Sequence, residues 1–225
     1  MTMRLRLAPS ILTADFARLG DEIRAVEPFV DWFHLDVMDG HYVDNLTFGP
    51  TIVEVVRRSC ALPLHVHLMI SEPGKFAHRF ADAGATRISF HPEVTPDPEA
   101  VIAEIAGAGC GVGIAVHPDQ PLDQVRKHLN ALDVILMMTV RPGFGGQAFL
   151  DWVLPKVIAA RELAGPPGTG ADVEADGGIK LATLDATVAA GADVLVAGSA
   201  IFDGTDPAAA ARKLRKRLVE LETTT

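Results

Sequence analysis

Eight short apolar runs, each followed by a stretch with helical spacing, set the tightest limit on what this chain can fold into. The runs are Leu7–Leu12, Trp32–Val37, Leu64–Ile70, Arg87–Phe90, Gly111–Val116, Val134–Val140, Asp172–Asp176 and Val194–Ala197. They are four to seven residues long and rich in Val, Ile and Leu, the composition of strands buried on both faces. The helical stretches are Ala17–Val26, Thr51–Arg58, Lys75–Ala83, Glu99–Ala106, Leu122–Leu129, Val153–Leu163, Leu181–Ala190 and Pro207–Leu221. Several stop at glycine just before the next strand, as at Ala83-Gly84 and Ala190-Gly191. Eight even β–α units in 225 residues predict an α/β fold, a single (β/α)8 TIM barrel spanning 1–225 as one catalytic domain. The competing arrangement is an open doubly wound sheet. No linker or low-complexity tract interrupts the pattern.

Composition narrows the partners. The formal net charge is −9 with no basic block, which argues against nucleic acid or an anionic membrane surface. An anionic ligand would then need a local site built from backbone N–H groups. No apolar run approaches the ~18 residues that span a bilayer. Met1–Leu7 is charged and runs at once into Pro9 and Ser10, so no leader is expected and the cytoplasm is the expected location. Cys60 and Cys110 stand alone and read as small buried hydrophobes.

In a barrel, the chemistry sits at the C-terminal ends of the strands and in the loops that follow them. The two longest connections, Asp39–Pro50 and Arg141–Leu150, fall there. The second run ends His34-Leu35-Asp36-Val37-Met38-Asp39, the third contains His65-Val66-His67-Leu68-Met69, and the seventh ends Glu174-Ala175-Asp176-Gly177-Gly178. Residues two apart share a face of a strand, so His34, Asp36, His67 and Asp176 can point at one spot in the barrel mouth. Any one of them alone reads equally as a hydrogen-bonded interior residue. Together, two imidazoles and two carboxylates suit Zn²⁺ or another divalent transition metal.

Three glycine-rich turns follow adjacent strands: Gly143-Phe144-Gly145-Gly146, Gly177-Gly178 and Gly198-Ser199. Glycine lets backbone N–H groups approach an anion closely, and barrel loops after strands seven and eight often bind phosphate. Met38, Met69 and Met138 fall near strand ends and either pack the core or line the substrate with apolar surface. No strand run contains a lysine, the six being at 75, 127, 156, 180, 213 and 216, which argues against a Schiff-base aldolase. His65 and Glu174 each lie two residues before a candidate ligand. They should face inward one layer deeper, and the sequence leaves open whether they form a buried hydrogen-bonded pair or stand apart. His91, after the fourth run, either lines the mouth or caps a helix.

Taken in order, Ala8-Pro9-Ser10-Ile11-Leu12, His34-Leu35-Asp36-Val37-Met38-Asp39-Gly40-His41, Asn45-Leu46-Thr47-Phe48-Gly49-Pro50, His67-Leu68-Met69, Met138-Thr139-Val140 with Pro142-Gly143-Phe144-Gly145-Gly146-Gln147, Asp176-Gly177-Gly178 and Ala197-Gly198-Ser199 give the chain a resemblance to the ribulose-phosphate 3-epimerase family over nearly its whole length. The resemblance implies epimerisation at C3 of D-ribulose 5-phosphate through an enediolate. It implies one divalent ion per subunit (zinc, with iron, manganese or cobalt as substitutes) held by His34, Asp36, His67 and Asp176. Asp36 and Asp176 would be the paired acid and base, and Ser10, His67 and Asp176 would touch the sugar. The glycine turns and Ser199 would bind its phosphate. A homo-oligomer is also implied.

The chain departs from the family's pattern at Asp44, His65, His117 and Arg141, which leaves open another ketose phosphate such as allulose 6-phosphate. Two readings from other classes compete. A phosphate-binding barrel decarboxylase or aldolase would want an Asp-x-Lys cluster where this chain has His34-Leu35-Asp36. A non-catalytic sugar-phosphate sensor would not need both Asp36 and Asp176.

Overall fold

The computed structural model describes residues 4–202 and 205–223, so the first three residues of the charged N-terminal stretch lie outside it. Eight parallel strands run β1 (Arg6–Pro9), β2 (Phe33–Met38), β3 (Leu64–Met69), β4 (Arg87–Phe90), β5 (Gly111–Val116), β6 (Val134–Met138), β7 (Asp172–Asp176) and β8 (Val194–Ala197). They pair in the order β1-β8-β7-β6-β5-β4-β3-β2. Between β1 and β2 a single parallel bridge, Ser10 to His34, replaces a ladder. The sheet is thus a nearly closed barrel, and the open doubly wound alternative falls.

The helices are α1 (Leu19–Val26), α2 (Pro50–Ser59), α3 (Pro73–Asp82), α4 (Pro98–Gly107), α5 (Asp123–His128), α6 (Leu154–Ala164), α7 (Leu181–Ala189) and α8 (Pro207–Glu222). Three begin one or two residues earlier than their apolar spacing predicts, at Pro50, Pro73 and Pro98. Proline has no N–H to lose in a first turn and its φ is already helical. Asp97 and Asp206 cap α4 and α8 by accepting from the N–H groups of Ala100 and Ala209. Each helix lays an apolar stripe on the barrel, for example Ala77 and Phe80 of α3 and Ala211, Leu214 and Leu218 of α8. A buried side chain of the Leu or Phe class contributes about 1.5–3 kcal/mol.

Three runs overshoot their strands, that of β3 by one residue and those of β1 and β6 by three and two. β1 stops at Pro9 because Ser10 turns the chain: its hydroxyl accepts from Leu12 N–H and caps a short 3-10 turn at Ile11–Thr13. β6 stops at Met138, and the Thr139 hydroxyl donates to Gly177 O at 2.6 Å, fixing the chain beside the end of β7.

Strand parity splits the barrel into two shells. Leu35, Val37, Val66, Leu68, Ile88, Phe90, Ile114 and Val173 face the helices in the main apolar core. Their alternates face inward. On the β5, β6 and β8 side the interior is apolar, with Ala115, Val134, Leu136, Val194 and Val196. On β2, β3 and β4, and on β7 between the apolar strands β6 and β8, it is polar, with His34, His65, His67, Ser89 and Glu174 all buried. The floor is Trp32, over which Arg6 and Arg87 stack at 5.3 and 4.7 Å while both donate to Asp172. Cys60 and Cys110 are free and buried, as expected.

Candidate functional site

β2 and β3 pair with His34 opposite His65 and Asp36 opposite His67, and β6 pairs with β7 so that Met138 lies opposite Asp176. This register stacks the polar interior in layers. The deeper layer answers the question left open by pairing His65 with Glu174, and it holds more. Glu174 is fully buried, and its two oxygens each lie 2.9 Å from an imidazole Nδ1, those of His34 and His65. A carboxylate only accepts, so both Nδ1 atoms carry protons. His65 Nε2 then accepts from the Ser89 hydroxyl at 2.7 Å. Burial raises Glu174, but the two imidazoles outweigh it and hold the carboxyl well below its ordinary range.

The upper layer brings together all four candidate ligands. His34 Nε2 stands 3.2 Å from Asp36 Oδ1 and 3.7 Å from Asp176 Oδ2. His67 Nδ1 stands 3.0 and 3.8 Å from the same oxygens. The Ser10 hydroxyl donates to Asp36 Oδ2 at 2.5 Å. Burial pulls the two acids up, and the outcome differs by neighbour. In Asp36 the charge of His34 and the N–H of His67 overcome burial and hold the carboxyl far below the usual range. In Asp176 burial and the Asp36 charge act together, against a smaller pull from His34, and lift it to about 8. One acid is therefore ionised and its neighbour protonated at neutral pH. Burial also drops His67 to about 3, so its ring is neutral. Burial lowers His34 too, but Asp36, Glu174 and Asp176 raise it well above its ordinary value.

These residues fit a divalent cation. The four ligand atoms lie within 4.8 Å of one another, and all four residues are buried. His34 Nε2 is a buried polar atom that makes no hydrogen bond. Its Nδ1–H is already committed to Glu174, so Nε2 is the atom it can turn to a cation, giving up its own proton as the cation binds. Such backing of a ligand imidazole by a carboxylate is how metal sites fix ring orientation and raise basicity.

Above the cluster a cavity opens between the glycine turns. Ser10, Asp36 and Asp176 line its base, and Met38, Met69 and Met138 line it with apolar surface. Gly143, Phe144, Gly145, Gly146, Gly177, Gly178, Gly198 and Ser199 form its rim. His34 and His67 lie behind the aspartates, with no exposed surface of their own. Gly178 sits at φ +67°, and a Cβ there would come within 2.8 Å of the Phe149 backbone; only glycine lets the chain turn this close. Asn45 Nδ2 donates to Gly143 O at 2.7 Å, tying the loop after β2 to the loop after β6.

Of the four departures from the family's pattern, Asp44, His117 and Arg141 are absent from the cavity wall. Arg141 pairs with Asp119 at 3.2 Å. Among the described residues no lysine lines the cavity either.

Several neighbours of the site escaped the reading from sequence. His91, read as lining the mouth or capping a helix, stands at the N-cap of a 3-10 turn, but its side chain makes no cap and is absent from the cavity wall; it is fully buried, and its Nε2 lies 2.9 Å from His67 Nε2. Tyr42 and Glu93 join it from the loops after β2 and β4. Parity offered a signal, since His91 lies two residues beyond the inward-facing Ser89. Thr13, beside the Gly145 and Gly198 turns, also lines the cavity and keeps a buried hydroxyl without a partner.

A parallel barrel with a buried cluster able to hold a metal ion beneath a glycine-rimmed cavity belongs to the class of barrels that bind small ligands at the C-terminal ends of their strands. Comparison with known proteins agrees. The family model for the ribulose-phosphate 3 epimerase family matches residues 6–202. The ribulose-phosphate 3-epimerase of Mycobacterium tuberculosis (strain ATCC 25618 / H37Rv) is 46% identical over 211 residues, covering 94% of this chain and 92% of that protein. The ribulose-phosphate 3-epimerase of Bacillus subtilis (strain 168) is 44% identical over 213 residues, covering 94% and 98%. The chain belongs to the ribulose-phosphate 3-epimerase family. Among solved structures, KGPDC from Streptococcus mutans superposes with a TM-score of 0.73 at 20% identity, covering 96% of this chain and 98% of that one. A 3-hexulose-6-phosphate synthase gives 0.67 at 20% identity, covering 94% and 99%. At that identity the likeness is one of fold alone. No helix among the described residues is long and apolar enough to cross a membrane.

Proposed function

We propose that this chain is a ribulose-phosphate 3-epimerase that inverts C3 of D-ribulose 5-phosphate to give D-xylulose 5-phosphate. The observation that carries the mechanism is the pair of buried acids, Asp36 held ionised and Asp176 held protonated, facing one cavity.

Inversion requires a proton to leave one face of C3 and another to arrive on the opposite face. Asp36, as carboxylate, takes the C3 proton, and the electrons of the C–H bond move into the C2 carbonyl to give an enediolate. Asp176, as carboxylic acid, gives its proton to C3 from the other side, and the carbonyl re-forms. The acids finish with exchanged protonation states, which is the starting arrangement for the reverse reaction. Ser10 donates to Asp36 Oδ2 and orients that carboxylate toward the cavity. Met38, Met69 and Met138 keep water from the planar intermediate without competing hydrogen bonds. The backbone N–H groups of the three glycine turns and Ser199 receive the phosphate, which suits a chain of net negative charge.

A divalent cation held by His34, Asp36, His67 and Asp176 would supply positive charge beside the C2 and C3 oxygens. Imidazole and carboxylate donors suit zinc, with iron, manganese and cobalt as alternatives. Each subunit of a cytoplasmic homo-oligomer would hold one such ion.

The test is solvent-deuterium incorporation at C3 across a panel of pentulose and hexulose phosphates. Exchange and inversion with ribulose 5-phosphate, lost in Asp36→Asn and Asp176→Asn while phosphate binding survives, is the expected result. Exchange with none of the panel would overturn the epimerase reading. Exchange restricted to a hexulose phosphate would reassign the substrate.

A further inference from the structure

We propose that the Thr13 hydroxyl is a phosphate ligand of this site, donating to an anion seated on the Gly198–Ser199 turn. The proposal rests on the epimerase reading for the ligand, a sugar phosphate. It adds a contact that the glycine turns and Ser199 do not supply.

The placement comes from the turn after β1. Ser10 caps a 3-10 turn formed by Ile11–Thr13. Such a turn repeats every three residues, so the side chains of Ser10 and Thr13 point the same way. Both line the cavity. Ser10 donates to Asp36 at its base, and Thr13 stands one turn further along the chain. One short segment thus serves both ends of a ligand whose reacting carbon lies over the aspartates and whose phosphate lies at the glycine rim.

Two glycines define the space around Thr13. A Cβ at Gly145 would come within 2.6 Å of the Thr13 methyl, and a Cβ at Gly198 within 3.2 Å of the Thr13 hydroxyl oxygen. Neither glycine has a positive φ, so the path of the backbone requires neither. Their missing side chains serve space instead. At Gly145 that space takes the methyl. At Gly198 it leaves a gap in front of the hydroxyl. A branched side chain has few χ1 choices, and this one is wedged with its methyl toward the loop after β6 and its oxygen toward the loop after β8.

The hydroxyl is also a donor in need of an acceptor. It is buried and makes no hydrogen bond, a state that costs stability and calls for a reason. Among the hydroxyl and amide side chains of the wall, Ser10 gives its proton to Asp36. Gln147 Nε2 donates to the carbonyls of Arg141 and Phe144. That leaves Thr13 and the exposed Ser199. No lysine or arginine lines the cavity among the described residues. A phosphate monoester brings three strong acceptor oxygens, and a bond from a donor already shielded from water requires little further desolvation. The hydroxyl lies just beneath the cavity surface, so an anion settling on the Gly198–Ser199 turn meets it as that turn gives outward.

Thr13→Val and Thr13→Ser separate the hydroxyl from the space it fills. Valine keeps the branched shape without the O–H, and serine keeps the O–H without the methyl. Calorimetric titration of the full chain with inorganic phosphate reads the anion alone, and KM for ribulose 5-phosphate reads it on the substrate. Thr13→Val should weaken phosphate binding about 10–100-fold, the loss of one hydrogen bond to a charged group, and raise KM in step. Thr13→Ser should bind phosphate far more tightly than Thr13→Val. Without phosphate, Thr13→Val should melt no lower than wild type, because it removes an unpaired buried donor. Unchanged phosphate binding in Thr13→Val would overturn the proposal. So would a serine variant as weak as the valine one, which would make the methyl responsible, or a phosphate-free Tm lowered by valine, which would assign the hydroxyl to the fold. Weaker phosphate binding in Thr13→Val, with no exchange by the wild type on any ketose phosphate, would support the contact and sink the epimerase reading alone.

Discussion

Glu174 is the carboxylate on which two inward-facing imidazoles converge, and replacing it tests the account of the deeper layer. Its oxygens accept from His34 Nδ1 and His65 Nδ1, both at 2.9 Å and all fully buried. Glu174→Leu preserves size but strands two imidazole N–H groups away from water. Each stranded group costs about 1–3 kcal/mol, so the sum is about 2–6 kcal/mol. At about 2 °C per kcal/mol for a chain of this length, the metal-free protein should lose about 4–12 °C in Tm. Glu174→Gln has a different outcome. The amide oxygen can accept from His34, and the amide N–H can donate to His65 Nδ1, provided His65 moves its proton to Nε2. Ser89 stands 2.7 Å from that nitrogen and can accept it. The amide variant should therefore stay within about 1 kcal/mol of wild type, or about 2 °C. Differential scanning fluorimetry in excess chelator reads both values. A Gln variant as damaged as the Leu variant, or a Leu variant shifted by less than about 2 °C, would refute the assignment of protons in this layer.

Gly113 should tolerate no side chain while Ser89 is present, because a Cβ there would meet Ser89 Oγ at 1.9 Å. Gly113→Ala should cost about 1–3 kcal/mol by overpacking, and Ser89→Gly should recover part of it in a double-mutant cycle read by urea denaturation. Divalent zinc at 100 times its Kd should stabilise the protein by about 2.7 kcal/mol, about 5 °C in Tm, with chelator reversing the shift; no shift would argue against the cluster as a metal site. In the metal-free protein Asp176 is lifted by burial and the Asp36 charge to about 8, so the folded chain binds that proton more tightly than the unfolded chain does. Its contribution to stability is thus full below about pH 4 and fades as pH rises through 8. Asp176→Asn should flatten the Tm-against-pH profile in that window.

Much of this molecule was legible in its sequence, for reasons visible at particular residues. Four strands, Arg87–Phe90, Gly111–Val116, Asp172–Asp176 and Val194–Ala197, have the bounds their apolar runs predict, since a polar residue, glycine or aspartate stands at each edge. β1 and β6 overshot because Ile11 and Val140 are still apolar and buried after the strand has ended. What stops those strands is a hydroxyl turning back on the backbone at Ser10 and at Thr139, which hydropathy does not register. Strand parity sufficed to aim His34, Asp36, His67, Asp176, His65 and Glu174 inward, but not to decide that His65 and Glu174 bond. It was silent on Tyr42 and Glu93, because both sit on loops, where no repeat fixes the direction of a side chain. The meeting of Tyr42 with His91 depends on how the loop after β2 folds over β4.

The barrel's one unladdered seam lies between β1 and β2, and a single bridge crosses it, from Ser10 to His34. At its lower end the seam is held by Asp31, whose N–H donates to Leu7 O at 2.9 Å. At its upper end the Ser10 hydroxyl reaches Asp36. The stitches at that upper edge are themselves residues of the buried His/Asp cluster and its neighbour Ser10. Closing the barrel and assembling that cluster are therefore coupled, and a parted seam would take Ser10 away from His34 and Asp36. Whatever occupies the mouth acts as a clasp on the whole cylinder. Amide exchange along β1 and β2 should then slow on binding more than exchange along β5, which lies far from the seam and is laddered on both sides.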